Sequence, residues 1–84
     1  MTLVTLNYWA GARAAAGRAS EAVEAATVGQ AVDLVLTGHD DDRFTRVIRA
    51  SSLLVDGIAA STDSLGRALD GPTTVEVLPP FAGG

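Results

Sequence analysis

The sequence has 84 residues, 48% of them hydrophobic, and a net charge of −4. This length and composition predict one globular domain with a small core. Cysteine is absent, which excludes disulfides, thiolate metal sites and a catalytic thiol. The single histidine, His39, cannot build a histidine metal cage alone. All six cations are arginines and ten acids outnumber them, so we expect no binding to nucleic acid.

Neither a membrane segment nor a nucleotide-binding motif is apparent in the sequence. No apolar run approaches the length of a membrane-spanning helix and no secretory leader pattern opens the sequence, so we expect a cytoplasmic protein. The glycines form neither a Gly-x-Gly-x-x-Gly fingerprint nor a phosphate-binding loop. We therefore expect this chain to bind no cofactor and no metal itself.

The first predicted elements are a strand, a short helix and a second strand. Hydrophobic alternation over Thr2–Trp9 predicts a half-buried strand, with Trp9 on the outward side. The alanine-rich segment that follows favours a short helix that ends at Gly17. Arg18–Ala26 fits either a strand or a helix, and we prefer a strand with Ala22 or Val23 inward. In the first strand the inward residues are Val4, Leu6 and Tyr8.

Two helices are predicted in the middle of the chain. Thr27 and Gln30 form a capping-box pattern, and Gly38 stands where a helix would end. Between them, apolar residues recur at helical spacing: Val28, Ala31, Val32, Val35 and Leu36. The next segment, residues 39–50, has acids early and arginines late, which suits the dipole of a second helix. Its apolar side would carry Phe44, Val47 and Ile48.

The last third of the chain predicts strands separated by a long loop. A strand closes at the turn Asp56-Gly57, and a short strand could follow over Ile58–Ser61 within a mostly irregular segment. Thr73–Leu78 alternates again, with Val75 and Val77 inward and Leu78 on the opposite face. This element order predicts an α+β fold, in which one main helix packs across a mixed sheet. We place the domain at residues 1–78 and an extended C-terminal tail at residues 79–84.

Three features of the domain allow a functional interpretation besides a structural one. The acids Asp40, Asp41 and Asp42 could bind a hard cation, but a solvated first helical turn is the favoured interpretation. His39 could serve as a base, yet a surface-loop histidine is favoured because no nucleophile adjoins it. Trp9 is either part of a partner-binding surface or covered by the following helix, and the sequence leaves both open.

The tail "PPFAGG" has a distinct chemical character. Pro79 and Pro80 have no N–H, so they end the strand and impose a stiff, extended exit. Gly83 and Gly84 have no Cβ, so they can enter a channel too narrow for other residues. The terminal carboxylate is a poor electrophile until its oxygen becomes a good leaving group. Such a tail makes chemical sense if a partner enzyme activates that carboxylate.

With this tail, the sequence resembles the ubiquitin-like sulfur carriers, and most closely the small subunit of molybdopterin synthase (MoaD type). The specific part is the ending "VEVLPPFAGG", which matches the family's hydrophobic-Pro-Pro-x-x-Gly-Gly pattern. The opening "VTLNYWAGARAAAG" and the middle "LLVDG" resemble the family's first strand with its short helix and a later strand end. The resemblance covers the whole chain.

The resemblance implies a β-grasp fold and a non-catalytic carrier subunit. An E1-like adenylyltransferase would use ATP to adenylate Gly84, which then becomes a thiocarboxylate. The large subunit of molybdopterin synthase would accept the tail, and the sulfur would go to cyclic pyranopterin monophosphate. The residues implied to enter the partner are Pro79, Pro80, Phe81, Ala82 and Gly83. The implied hydrophobic partner patch is Trp9, Leu78 and Ile58 or Ala59.

Three other functions share some of these features. The chain could carry sulfur for cysteine or thiamin synthesis, or it could be a protein modifier that is joined to lysines of other proteins. It could also be an interaction module whose tail has no chemistry. The tail argues against the last hypothesis, and the sequence does not separate the first two from molybdopterin synthesis.

Overall fold

Five strands form one mixed sheet, which the computed structural model describes within residues 1–80. Phe81, Ala82, Gly83 and Gly84 lie outside the described residues. The strands are β1 (Thr2–Tyr8), β2 (Ser20–Ala25), β3 (Ser52–Val55), β4 (Ile58–Ala59) and β5 (Thr73–Leu78). The helices are α1 (Ala10–Ala16), α2 (Val28–His39), α3 (Asp42–Ala50) and α4 (Thr62–Leu65).

The strand order is β2-β1-β5-β3-β4, with β1 and β5 parallel and the other pairs antiparallel. This mixed sheet with helices on one face confirms the predicted α+β fold. The inward residues predicted for β1 and β5 are buried, and they form the core together with α2 and α3. In β2, Val23 faces the core and Ala22 is exposed, which settles the alternative left open by the sequence.

Helix α2 packs across the sheet through Val28, Ala31 and Val35, as predicted. The Thr27 hydroxyl accepts a hydrogen bond from the Gln30 N–H at 3.0 Å, but the Gln30 side chain accepts from the Ala26 N–H rather than from Thr27. The predicted end at Gly38 is wrong. The helix continues to His39, and Asp40 ends it in the left-handed region at φ 48°, which aspartate tolerates.

Other details also differ from the sequence predictions. Helix α3 begins at Asp42 rather than at residue 39, because His39 still belongs to α2. β1 ends at Tyr8, and Trp9 is the N-cap of α1. β4 covers only Ile58–Ala59, so it is shorter than predicted. Helix α4 was not predicted; it forms because Ser61 and Ser64 cap each other's backbone N–H groups. Of the helices described within residues 1–80, none is long and apolar enough to cross a membrane.

Candidate functional site

The C-terminal tail leaves the sheet beside Trp9. Because β1 and β5 are parallel, their last residues lie at the same edge of the sheet, with Tyr8 opposite Val77. The Trp9 N–H donates to the Val77 carbonyl at 3.3 Å, one residue beyond the end of β1. The residue after β5 is Pro79, which is buried, whereas Pro80 is exposed. The stiff exit therefore begins from an anchored proline.

The Glu76 carboxylate holds the Trp9 side chain on the helix-free face of the sheet. The Trp9 indole Nε1–H donates to Glu76 Oε1 at 2.7 Å. The second oxygen, Oε2, accepts from the Asn7 side-chain amide at 2.9 Å. Asn7 and Glu76 are register partners on the two central strands, so their side chains are neighbours. The indole is thus fixed in position although 50% of its surface remains exposed.

Apolar side chains share this face with Trp9. The register places Leu54 opposite Glu76 on one neighbour and opposite Ala59 on the other, so these side chains point to the same side. Leu78 lies on that side too, because it is two residues beyond Glu76 on the same strand. We call Trp9, Leu54, Ala59 and Leu78 the open-face patch. An exposed tryptophan bordered by apolar residues is typical of a protein-binding surface.

Ile58 lies apart from this patch. It pairs with Val55 across the turn between β3 and β4, and Val55 packs against the core. Ile58 therefore belongs to the helix-bearing side of the sheet, and it is 73% exposed because it stands on the edge strand. Of the two residues proposed from the sequence, only Ala59 shares a face with Trp9 and Leu78.

A polar cluster lies on the helix-bearing face of the sheet, around the side chain of Tyr8 at the end of β1. The Tyr8 hydroxyl donates to Glu21 Oε1 at 2.8 Å, and the same carboxylate contacts His39 Nε2. An Arg18 nitrogen lies 3.7 Å from Glu21 Oε2. Burial raises the pKa of Tyr8, and the hydrogen bond and charge of Glu21 raise that pKa further. The Tyr8 phenol is therefore held in its neutral form as a hydrogen-bond donor.

His39 has a structural position, and its predicted place in a surface loop is wrong. It is the last residue of α2, and its side chain is only 18% exposed. Its ring stacks on Phe44 with the centroids 3.9 Å apart, and Phe44 meets Tyr8 edge to face. Contact with Glu21 on one side and Phe44 on the other joins α2 to β2 and α3.

The aspartates before α3 follow the structural interpretation. Asp41 is the N-cap of α3, and its Oδ1 accepts from the Phe44 N–H at 3.0 Å. Asp42 lies in the first turn, where a negative charge favours the helix dipole. Asp40, Asp41 and Asp42 are all exposed. Within residues 1–80 no three His, Asp or Glu side chains come together as metal ligands would.

Glu76 and Asn7 belong to the site but were not predicted from the sequence. The alternation of β5 does place Glu76 on the outward side, the same side as Trp9 and Leu78. The pairing with Trp9, however, spans 67 positions and follows only from the parallel register of β1 and β5. The predicted roles of Phe81, Ala82, Gly83 and Gly84 lie outside the described residues.

No family model and no curated protein sequence matches the chain, whereas several solved structures do. SAMP1, a small archaeal modifier protein from Haloferax volcanii, is 26% identical, with a TM-score of 0.79 over 98% of this chain and 99% of that one. A molybdopterin converting factor subunit 1 from Pyrococcus furiosus is 22% identical, with a TM-score of 0.76 over 96% and 100% of the two chains.

A third neighbour is found in a complex of subunits 1 and 2 of the molybdopterin-converting factor from Helicobacter pylori. It is 12% identical, with a TM-score of 0.68 over 98% of this chain and 99% of that one. All three neighbours cover nearly the whole chain, so the likeness concerns the complete sheet and its helices. The chain has the ubiquitin-like β-grasp fold of the MoaD-type sulfur carriers and the small archaeal modifier proteins.

Proposed function

We propose that this protein is the sulfur-carrier small subunit of a molybdopterin synthase. Its work is done at the carboxylate of Gly84, and the folded domain presents that group to other proteins. An E1-like adenylyltransferase is the first partner and supplies ATP chemistry. The large synthase subunit is the second partner and accepts the tail. Both steps are assigned to the cytoplasm.

The chemistry needs no catalytic residue from this chain. The Gly84 carboxylate attacks the α-phosphate of ATP and releases pyrophosphate, which gives an acyl adenylate. A sulfide equivalent then attacks the acyl carbon and expels AMP, leaving a thiocarboxylate. The sulfur of this thiocarboxylate is the nucleophile in the next step, toward cyclic pyranopterin monophosphate. The glycines allow the activated group to reach the partner's active site through a narrow passage.

The position of the tail exit carries this proposal. β5, the middle strand of the sheet, ends directly at Pro79 and Pro80, and the open-face patch borders this exit. A partner that takes residues 81–84 therefore meets Trp9 and Leu78 in the same approach. The neighbour in the complex of converting-factor subunits 1 and 2 supports a large subunit as that partner.

A protein modifier is the second candidate, and the likeness to SAMP1 favours it. A modifier uses the same adenylated Gly84 but transfers its acyl group to a lysine amine of a target protein. Cysteine or thiamin synthesis would instead use the same thiocarboxylate with another acceptor. All of these functions share the first activation step, so they separate only afterwards.

Intact-mass measurement tests the proposal. The purified chain is incubated with an E1-like enzyme from its source organism, Mg-ATP and sulfide, and we expect a mass gain that corresponds to one oxygen replaced by sulfur. A chain without Gly84 is the control and should gain nothing. Failure of the intact chain to form either an adenylate or a thiocarboxylate would contradict every carrier function.

The acceptor then identifies the pathway. The thiocarboxylate form is offered to the large synthase subunit with cyclic pyranopterin monophosphate, and loss of sulfur with formation of the dithiolene product supports the first proposal. Covalent conjugates on lysines in a lysate of the source organism, with no dithiolene product, would favour the modifier.

A further inference from the structure

A small groove lies on the helix-bearing side of the tail exit. It has a volume of about 260 Å³ and is lined by Gly11 of α1, by Arg46, Val47 and Ala50 of α3, and by Pro79 and Pro80. This volume is below the roughly 300–1,000 Å³ of small-molecule sites. The groove therefore suits one inserted side chain better than a cofactor.

Small residues keep the groove open. Gly11 contributes no side chain, and a Cβ placed there would meet no atom within 4 Å. Across the groove, Ala50 is exposed and Val47 is partly buried. A larger residue at position 11 would consequently fill the groove without disturbing the core.

The rim of the groove carries a positive charge. Arg46 lines it, and Arg43 and Arg49 are exposed on the same helix. Within residues 1–80 no carboxylate oxygen lies within 4.0 Å of a guanidinium nitrogen of these three arginines. Asp42 lies one turn before Arg46 on α3, so the helix as a whole is mixed in charge, and the positive charge at the groove itself is that of Arg46. An exposed arginine at the rim favours a carboxylate on the partner surface.

The groove and the open-face patch lie on opposite sides of the same exit. Trp9 and Leu78 are on the helix-free face, whereas Gly11 and Arg46 belong to the helices that cover the other face. Pro79 and Pro80 form one wall of the groove. A protein that takes the tail beyond Pro80 must therefore approach the groove as closely as it approaches the patch.

We propose that this groove receives an apolar side chain of the protein that accepts the tail, and that a carboxylate beside that side chain pairs with Arg46. The inference rests on the proposed function, because it assigns the contact to the large synthase subunit. It adds a second, charge-selective contact to the one expected at the open-face patch. Correct partners are then distinguished by charge as well as by the fit of the glycine tail.

Affinity for the large subunit tests the groove, and isothermal titration of the full chain provides the measurement. We expect Gly11→Leu to raise the dissociation constant by about 10-fold or more, because leucine fills the groove. Arg46→Glu should raise the dissociation constant to a similar degree. Arg46→Gln should raise it by about 3-fold and should make the affinity less dependent on salt. Gly11→Leu should not lower the melting temperature, since leucine favours a helix more than glycine does.

Matched controls separate the groove from general effects. Gly38→Leu places the same side chain at a helical glycine of α2 where a Cβ also meets nothing within 4 Å. Thr37→Glu adds a negative charge at an exposed position of α2 that does not line the groove. Both controls should bind like the wild-type chain.

The outcomes are distinguishable from those that test the proposed function. Wild-type binding and sulfur transfer with unchanged affinity in Gly11→Leu and Arg46→Glu would overturn the groove contact and leave the sulfur-carrier proposal standing. A wild-type chain that gains no sulfur and binds no large subunit would overturn both. Self-association of the chain that Gly11→Leu abolishes would assign the groove to a second copy and overturn the inference as well.

Discussion

The indole of Trp9 and the carboxylate of Glu76 are joined by a 2.7 Å hydrogen bond across 67 positions of sequence. The bond crosses between the two parallel central strands, and Asn7 completes it by donating to the other oxygen of Glu76. It holds a large aromatic ring in one orientation before any partner arrives. Preorganisation of this kind lowers the entropy cost of binding.

Loss of Glu76 should therefore weaken binding through Trp9. We expect Glu76→Ala to raise the dissociation constant for the large subunit by about 5-fold and to lower the free energy of unfolding by about 1 kcal/mol. Glu76→Gln keeps an acceptor oxygen, so its dissociation constant and its stability should lie between those of the wild type and Glu76→Ala. Fluorescence of the only tryptophan reports the release of the ring. Thr74→Ala, on the same face of β5, is the control, and equal effects in both variants would contradict a role for Glu76.

Replacing Trp9 itself should affect binding more than folding. Half of the Trp9 surface is exposed, so Trp9→Ala should lower the free energy of unfolding by about 1 kcal/mol. The dissociation constant for the large subunit should rise by about 30-fold. Urea unfolding followed by circular dichroism gives the first quantity and titration with the large subunit gives the second. Leu34→Ala, an exposed apolar residue of α2, is the control. A Trp9→Ala chain that unfolds would assign the ring to the core.

Removal of Gly84 should separate function from stability. The buried hydrophobic core runs from Val4 to Val77, so a chain without Gly84 should keep its unfolding free energy within about 0.5 kcal/mol. The same chain should form no thiocarboxylate, because the carboxylate then belongs to Gly83. Thermal unfolding and intact mass are measured on the same sample. Thiocarboxylate formation by the shortened chain would contradict the assignment of the chemistry to Gly84.

High pH should destabilise the fold through Tyr8. The chain has one tyrosine and neither lysine nor cysteine, so Tyr8 is the side chain expected to titrate between about pH 9 and 12. Its pKa is raised in the folded state, chiefly by burial and next by Glu21, so the folded chain keeps a proton that the unfolded chain loses. The contribution of Tyr8 to the free energy of unfolding is therefore fully present below about pH 10. Above that pH the free energy of unfolding falls by up to about 1.4 kcal/mol per pH unit.

Phenolate absorbance and circular dichroism, recorded over the same pH range, check this expectation. The phenolate signal should appear only together with unfolding. Tyr8→Phe should remove the alkaline slope, although it costs about 1 kcal/mol at neutral pH because Glu21 loses a donor. A phenolate signal near pH 10 in a chain that stays folded would contradict the burial of the hydroxyl group.

The strands and the outward position of Trp9 could be predicted because alternation directly records which side is buried. The end of α2 could not, since Asp40 adopts a left-handed conformation that sequence rules assign to glycine. The face of Ile58 follows from the two-residue turn Asp56-Gly57, which pairs Val55 with Ile58. The Asp56-Gly57 turn is predictable from the sequence, and the register follows from its length of two residues.

The long-range polar contacts could not be predicted from the sequence, for a different reason. Glu76 and Glu21 each bind residues on other strands or helices, and nothing in the local pattern selects their partners.

For the acidic run the favoured structural interpretation agrees with the structure, because Asp40 ends α2 and Asp41 and Asp42 start α3. His39 joins α2 to α3 by stacking on Phe44. For the tail, the residue types indicated a carboxylate that a partner activates, and the sulfur chemistry followed from the resemblance to the sulfur carriers.

The tail continues from β5, the middle strand, which is bonded to β1 on one side and β3 on the other. Traction on Pro80 along this strand would load both ladders in shear, so many hydrogen bonds would share the force at once. An edge strand pulled in the same direction would share the force with one ladder only. A force on the tail is therefore borne by a strand that the sheet holds on both sides, which suits the insertion of the terminus into a partner that we propose.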